Sequence, residues 1–355
     1  MNYNMNLSFK HSVFFILFLL GFSFFLNAQD KKDKEYFVSC IAFYNLENLF
    51  DTIDNEDVND IEFTPGGNNK WNAEKYNEKL VNMAKVISDI GTEISPDGAA
   101  VLGIAEVENI GVIKDLINMP ALKSRNYGIV HYDSPDKRGV DVGLIYQKKY
   151  FKLTNSKSYT LKIEGMDDFY TRDQLVVSGT FQGETMHFIV AHWPSRRGGE
   201  LRSRPLRNAA AQVARHITDS LLQLDPMSKI VFMGDLNDDP NNQSVKKYLN
   251  AAGDIKKLEP NQLYNTMYEN FSKGIGSLGY RDSWNLFDQI IISQGFLSSQ
   301  PSTYLFYKAK IYNKAYLISQ DGQFKGYPFR TFSFGTYIGG YSDHFPTYII
   351  IRKEK

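Results

Sequence analysis

The sequence predicts a layered α/β or α+β domain, with sheets flanked by helices, on three observations. Strand-length runs recur along the chain, as at Ala99–Ala105, Met186–Ala191 and Lys229–Met233. Uninterrupted apolar runs of this kind suit strands buried on both faces. Two longer segments carry apolar residues at helical spacing. Strands and helices alternate in sequence order, as they do in layered mixed folds.

Residues 1–28 read as a signal peptide. Lys10 and His11 precede the apolar run Val13–Leu26, and Asn27-Ala28-Gln29 offers cleavage after Ala28. The run is short for a membrane span; an uncleaved anchor is its other reading. With the segment removed, no stable membrane span is expected, and the chain is expected to be exported, periplasmic or secreted. Residues 29–37 form a charged, flexible leader. Residues 38–355 then form one domain, with no long linker and no repeat at a fixed period.

Within that domain Ser39–Leu46 is a strand and Asp51–Asn69, with Pro65-Gly66-Gly67, a surface loop. Trp71–Ile94 is a helix, with Trp71, Tyr76, Leu80, Met83, Ala84, Ile87 and Ile90 on one stripe. Ala99–Ala105, Gly139–Tyr146, Leu175–Phe181, Met186–Ala191 and Lys229–Met233 are strands. Pro205–Leu222 is a second helix, with Pro205 tolerable in its first turn. Phe287–Ser293 and Pro346–Ile351 close the pattern.

Hydrophobic residues make up 43% of the 355, enough for a sizeable core. Lys+Arg and Asp+Glu both total 40, so the chain does not coat nucleic acid through overall charge, although a local basic groove remains open. Cys40 is the single cysteine, so there is no internal disulfide framework, and its apolar neighbours make it a core residue. No Gly-rich nucleotide loop, Cys/His zinc spacing or Gly-x-Ser-x-Gly elbow occurs, which removes support for kinase, zinc-finger and serine-hydrolase readings.

The chemistry lies in polar motifs at the ends of the apolar runs. Asn45 follows the first strand and Glu106 the second; a carboxylate there suits Mg²⁺ or Mn²⁺, which prefer oxygen donors. His192 ends a strand before Trp193-Pro194, and His344 adjoins Asp343. A His held by a carboxylate suits acid–base work, and Asp288, heading a strand, is a candidate partner. Asp235 and Asn237 lie two apart, so in extended geometry they face one side. One could orient or deprotonate a water while the other holds a phosphate oxygen. Asn237-Asp238-Asp239-Pro240 is equally turn chemistry.

Six arginines lie between Arg196 and Arg215 against one acid, Glu200. Near a helix start they favour phosphate recognition, and a solvated basic helix face is the bland alternative. Asp141 faces either the cleft or solvent. Arg281 beside Tyr280, and Arg330 at the end of Lys325–Arg330, sit in loops that could stack a base or clamp a phosphate.

Taken together, Asn45, Glu106, His192, Asp235-x-Asn237, Asp288 and Ser342-Asp343-His344 in this order resemble the endonuclease/exonuclease/phosphatase superfamily, over about residues 38–352. That group includes pancreatic deoxyribonuclease, abasic-site endonucleases, sphingomyelinases and inositol-polyphosphate phosphatases. The resemblance implies a four-layer sandwich of two packed mixed β-sheets flanked by helices. It implies metal at Asn45, Glu106 and Asp343, and catalysis by His192, Asp235, Asn237, Asp288 and His344. Phosphate would be held by Asn237, with Arg196, Arg197, Arg281 and Arg330 as further candidates. Mg²⁺, or Mn²⁺, would neutralise the phosphate during in-line attack of water.

The leading expectation is thus a secreted, metal-dependent phosphodiesterase acting on nucleic acid. A phosphatase or phospholipase C-type hydrolase using the same site is the alternative. Sphingomyelinase-like action would call for an exposed apolar hairpin, for which Phe296-Leu297 and Tyr304–Tyr307 are the candidates. A catalytically dead binding module is disfavoured because every expected site position is filled. No protein partner is inferable.

Overall fold

The computed structural model describes Met1 and residues 34–355. The expected signal peptide, its cleavage point and most of the leader lie outside the described residues. Among those described, no helix is long and apolar enough to cross a membrane.

The strands in chain order are β1 (Tyr36–Leu49), β2 (Ala99–Val107), β3 (Tyr127–His131), β4 (Asp141–Gln147), β5 (Phe151–Tyr159), β6 (Gln174–Phe181), β7 (Glu184–His192), β8 (Lys229–Asp235), β9 (Ala251–Ala252), β10 (Leu263–Asn265), β11 (Leu278–Tyr280), β12 (Ser283–Asn285), β13 (Asp288–Ile292), β14 (Leu305–Ile311), β15 (Phe332–Ser333), β16 (Thr336–Tyr337) and β17 (Thr347–Glu354). One six-stranded sheet runs β14-β17-β1-β2-β4-β3, and a seven-stranded sheet runs β5-β6-β7-β8-β13-β10-β9. β11–β12 and β15–β16 are small separate ladders. Each large sheet holds one parallel pair at its centre, β1–β2 and β7–β8, and is otherwise largely antiparallel. A parallel pair needs a crossover, supplied by helix α1 (Ala73–Asp89) in the first sheet and helix α3 (Glu200–Leu224) in the second. Helix α2 (Ile110–Asn118) follows β2 directly.

Three apolar layers follow from strand alternation. Ile41 and Phe43 point inward with Val101, Leu144, Phe188, Met233 and Ile290 to form the core between the sheets. Their neighbours Cys40, Ala42 and Tyr44 face the other way, against Leu80, Met83 and Ile87 of α1 and Ile113 of α2. Ile189, Ala191 and Phe232 cover the outer face of the second sheet with Ala210, Ala214 and Ile217 of α3. The result is the four-layer sandwich. Gly103 permits a close approach between its sheets: a Cβ there would stand 2.6 Å from Met233 Sδ. Cys40 is fully buried, and burial pushes its thiol pKa up, as suits a core residue.

Several elements depart from the sequence reading. Helix α1 spans Ala73–Asp89 rather than Trp71–Ile94: Asn72 caps it by accepting from Lys75 N at 3.0 Å, and Gly91, at φ +78°, turns the chain away. Helix α3 begins at Glu200, so Pro205 lies inside it. Strands β3, β5 and β14 were not expected. Phe296 and Tyr304 are buried, which leaves them no part in an exposed hairpin.

Candidate active site

Both large sheets deliver their functional side chains to one shared edge. In the first sheet β1 and β2 run in parallel and end there, and β4 and β17, antiparallel to their neighbours, begin there. In the second, β7 and β8 end there and β13 begins there. Asn45 closes the gap: its Nδ2 donates to Asp235 Oδ2 at 3.1 Å and to Glu106 Oε1 at 3.3 Å.

Local backbone departures aim these groups. Glu106 sits where the β2–β4 register shifts, with φ +60°. A bulge of this kind re-aims a side chain, and a left-handed non-glycine residue stores local strain that the surrounding packing must hold. The β1–β2 register likewise shifts between Asn45 and Leu49, with Glu47 and Asn48 at φ +49° and +56°. Asn48 N then donates to Glu106 Oε2 at 3.1 Å, and Glu47 N to Asn45 Oδ1 at 2.9 Å.

Asp235 is buried among these groups. Its Oδ1 accepts from Asn237 N at 2.9 Å, and its Oδ2 stands 3.5 Å from His192 Nε2 and 3.8 Å from His344 Nε2. Burial pushes its carboxyl pKa up to about 7; His344 opposes this, while the Asp288 and Glu106 carboxylates add to it. Behind His344, Asp288 Oδ2 lies 2.6 Å from Nδ1 and also accepts from Ser277 Oγ at 2.5 Å. Burial disfavours the charge on His344, but Asp288, Asp235 and Asp343 outweigh it and hold the imidazole pKa well above its ordinary value. His192 behaves oppositely: burial, then Arg172, Arg138 and His344, drive its pKa well down, leaving a neutral ring. One buried imidazole is thus charged and the other neutral, and environments that separate two such groups set up acid–base roles.

A second buried pair adjoins this group. Lys79, on α1, is completely enclosed and donates to Thr331 Oγ1 at 2.6 Å and to Tyr341 O at 2.5 Å. Its Nζ is 3.9 Å from Glu47 Oε2. Burial lowers the ammonium pKa to about 8, against the pull of Glu47, Asp343 and Glu106. Burial, then Asp343, raises Glu47 to about 7, with Lys79 opposing.

A sequence model described as the Endonuclease/Exonuclease/phosphatase family matches residues 40–353. The chain belongs to that family. Solved structures agree on the fold. A family protein from Bacteroides thetaiotaomicron is 15% identical, covering 91% of this chain and 97% of its own, at a TM-score of 0.53. A mannosyl-6-phosphatase from the same organism is 14% identical over 88% of this chain and 99% of its own, at 0.52. TDP2 of D. rerio complexed with a single-strand DNA product is 13% identical over 88% and 98%, at 0.52. The comparison with curated proteins found no match.

The endonuclease/exonuclease/phosphatase family is one of divalent-metal-dependent hydrolases, and the donors here suit such an ion. Glu47, Glu106, Asp235, Asp288 and Asp343 crowd one edge against the cations of Lys79, His344 and Arg330. Two of those carboxyls are pushed up to about 7, chiefly by burial, with the neighbouring carboxylates adding to it. Hard oxygen donors of this kind favour Mg²⁺ or Mn²⁺. Asp235, Asp288 and His344 also offer three ligand atoms within 4.8 Å of one another. The 2.6 Å contact between Asp288 Oδ2 and His344 Nδ1 engages two of these residues with each other, so this triplet serves protons better than metal.

Other expected residues take different places. Arg196 is turned into the protein: its Nε donates to Asn237 O at 2.8 Å, and its Nη2 to Asp238 Oδ1 and Asn242 Oδ1, both at 3.1 Å. It is therefore a brace for the loop after Asp235, which corrects the expectation of a phosphate ligand. Asn237 Nδ2 donates to Trp193 O at 3.0 Å, leaving one of its amide hydrogens for a ligand. Arg330 stands 3.6 Å from Asp343, whereas Arg281 is exposed at the β11–β12 turn, its guanidinium 5.2 Å from the Tyr280 ring. Arg197 is exposed beside the site. Asp141 faces neither cleft nor solvent: it accepts from Ser134 N at 2.8 Å and lies 3.0 Å from His131 Nε2. Sequence reading missed Lys79, Glu47, Ser277 and Arg172. The available signal for Lys79 was its place in the buried stripe of α1, beside Leu80 and one turn from Met83.

Proposed function

We propose that this chain is an exported, divalent-metal-dependent phosphodiesterase acting on nucleic acid, cleaving the P–O bond by in-line attack of water. The observation that carries the reading is the convergence on Asp235: Asn45, His192 and His344 lie within 3.1–3.8 Å of its Oδ2, with Asp288 directly behind His344.

Asp235 takes the proton from the attacking water. A base is most effective when its pKa is near the working pH, and a carboxyl at about 7 meets that condition. The His344 imidazolium, held by Asp288, donates to a phosphate oxygen and stabilises charge as it develops. His192, being neutral, offers its Nε2 proton to a second oxygen without adding charge. The free amide hydrogen of Asn237 serves a third. Glu106, with Asp343 and Asn45, would hold Mg²⁺ or Mn²⁺. Such an ion neutralises the phosphate and assists the leaving oxygen when bound.

A second reading, hydrolysis of small phosphorylated molecules, is favoured by one observation. Of the six arginines between 196 and 215, Arg196, Arg204, Arg207 and Arg215 are paired with Asp238, Glu200 or Asp219. What remains is a confined basic cleft rather than a long track for a strand. Hydrolysis by the purified protein, with Mg²⁺ and with EDTA, decides between them. The substrates are supercoiled plasmid, single-stranded RNA, bis-p-nitrophenyl phosphate, inositol phosphates and sphingomyelin. Metal-dependent nicking upholds the nuclease reading. Release of phosphate with intact nucleic acid moves the chain to the second, and inertness toward every substrate overturns both.

A further inference from the structure

A cavity of about 690 Å³ opens beside the site, where Pro194 and Ser195 leave β7. Five cations line it, namely Lys137, Arg138, Arg172, Arg197 and Arg202, against two acids, Asp136 and Asp168. The cleft is therefore net positive in a chain whose formal charge is zero. Its size falls in the roughly 300–1,000 Å³ range of small-ligand pockets.

The cations differ in how far the protein satisfies them. Arg172 is 6% exposed; it donates to Asp136 Oδ2 at 3.0 Å and Trp193 O at 2.5 Å, yet its Nε is buried without a partner. A buried guanidinium N–H left unpaired is costly unless a ligand completes it. Arg197 and Arg202 are exposed and, among the described residues, form no ion pair. Their neighbours on α3 contrast with them: Arg204 is bidentate to Glu200, and Arg207 is 2.7 Å from Asp238.

The cleft is joined to the catalytic groups through one residue. Trp193 N donates to Asp235 O at 2.9 Å, while Trp193 O accepts from both Asn237 Nδ2 and Arg172 Nη2. A substrate phosphate at Asp235 and Asn237 would thus have the cationic cleft one residue away. Planar guanidinium groups recognise phosphate through paired N–H donors, which lysines do less specifically.

Resting on the phosphoester-hydrolase reading above, we propose that this cleft is a subsite for a second phosphate group of the substrate, next to the one being hydrolysed. That phosphate belongs either to the adjoining backbone position of an oligonucleotide or to a second ester on a small molecule. Arg197 and Arg202 supply the free donors, and Arg172 fixes the inner end.

The test uses calorimetric binding with Mg²⁺ present, on an Asp235→Asn background so that ligands survive. Two matched pairs of probes are compared: the dinucleotide TpT with and without a 5′-phosphate, and a hexose 6-phosphate with the 1,6-bisphosphate. The protein should prefer the doubly phosphorylated member of at least one pair by tenfold or more, and that pair identifies the source. R197Q/R202Q, two exposed changes, should erase the preference. R204Q/R215Q removes equal charge outside the cleft and should leave it intact. No preference in either pair, or a preference that survives R197Q/R202Q or falls equally in the control variant, overturns the subsite. Failure of the active protein to hydrolyse any phosphoester would sink the functional reading separately, because the binding comparison does not need turnover.

Discussion

Asn45 and Asp235 tie the two sheets together at the site through one hydrogen bond, 3.1 Å from Nδ2 at the register break in β1 to Oδ2 at the end of β8. The bond stabilises the ionised form of a carboxylate that burial otherwise pushes toward protonation, up to about 7. As a base, Asp235 must be ionised, so kcat/KM should rise about tenfold per pH unit and level off above about pH 7. Asn45→Ala removes a donor to the charged form and should move that midpoint up by about one unit. The pH profile of kcat/KM in the two proteins checks this. An unmoved midpoint with a lower plateau would leave Asn45 no role in tuning Asp235.

His344 and Asp288 should behave as one unit. The 2.6 Å contact fixes the ring and, with Asp235 and Asp343, keeps it charged. His344→Ala and Asp288→Asn should each lower kcat by on the order of 10²–10⁴. The double variant should be little worse than His344→Ala alone, since partners in one mechanism are not additive. Multiplicative losses in a double-mutant cycle would show two independent roles.

Much of this was legible because of how the strands are buried. β1, β2, β7 and β8 are covered on both faces, so their apolar runs stand out, and the polar residue that ends each run falls at the shared edge. β5 was invisible for the opposite reason: it is an edge strand reading Phe-Lys-Leu-Thr-Asn-Ser-Lys-Ser-Tyr, and edge strands carry charge that breaks the alternation. The arginine cluster misled because density in sequence does not reveal pairing. The acids that neutralise Arg196 and Arg207 include Asp238 and Asp239, more than thirty residues downstream and brought back by β8.

Arg196 provides a direct check on that correction. Its guanidinium serves Asn237 O, Asp238 and Asn242, and lies 4.5 Å from the Phe287 ring. Arg196→Ala should lower unfolding free energy by about 1–3 kcal/mol, because it strips partners from largely buried acceptors. KM should change less than about twofold. Urea unfolding and steady-state kinetics on the same preparation separate the two effects. A large KM increase with unchanged stability would return Arg196 to the substrate.

Lys79 and Glu47 place an ion pair, spaced at 3.9 Å, beneath the loop that carries Asp343. Taking one partner from a buried pair leaves the other charge uncompensated, at a cost of about 3–5 kcal/mol. Lys79→Met should incur a loss of that order, and should also free Thr331 and Tyr341, which Lys79 holds by hydrogen bonds on either side of the β15–β16 hairpin. Glu47, already at about 7 with the ammonium beside it, should then stay protonated to higher pH. The double variant Lys79→Met/Glu47→Gln removes both charges and should recover most of the stability, since a neutral pair no longer carries the desolvation penalty of two ions. Denaturant unfolding of the wild type, both single variants and the double variant at pH 8 closes the cycle. If the double variant is as unstable as Lys79→Met, the lysine acts through its hydrogen bonds to Thr331 and Tyr341 rather than through Glu47.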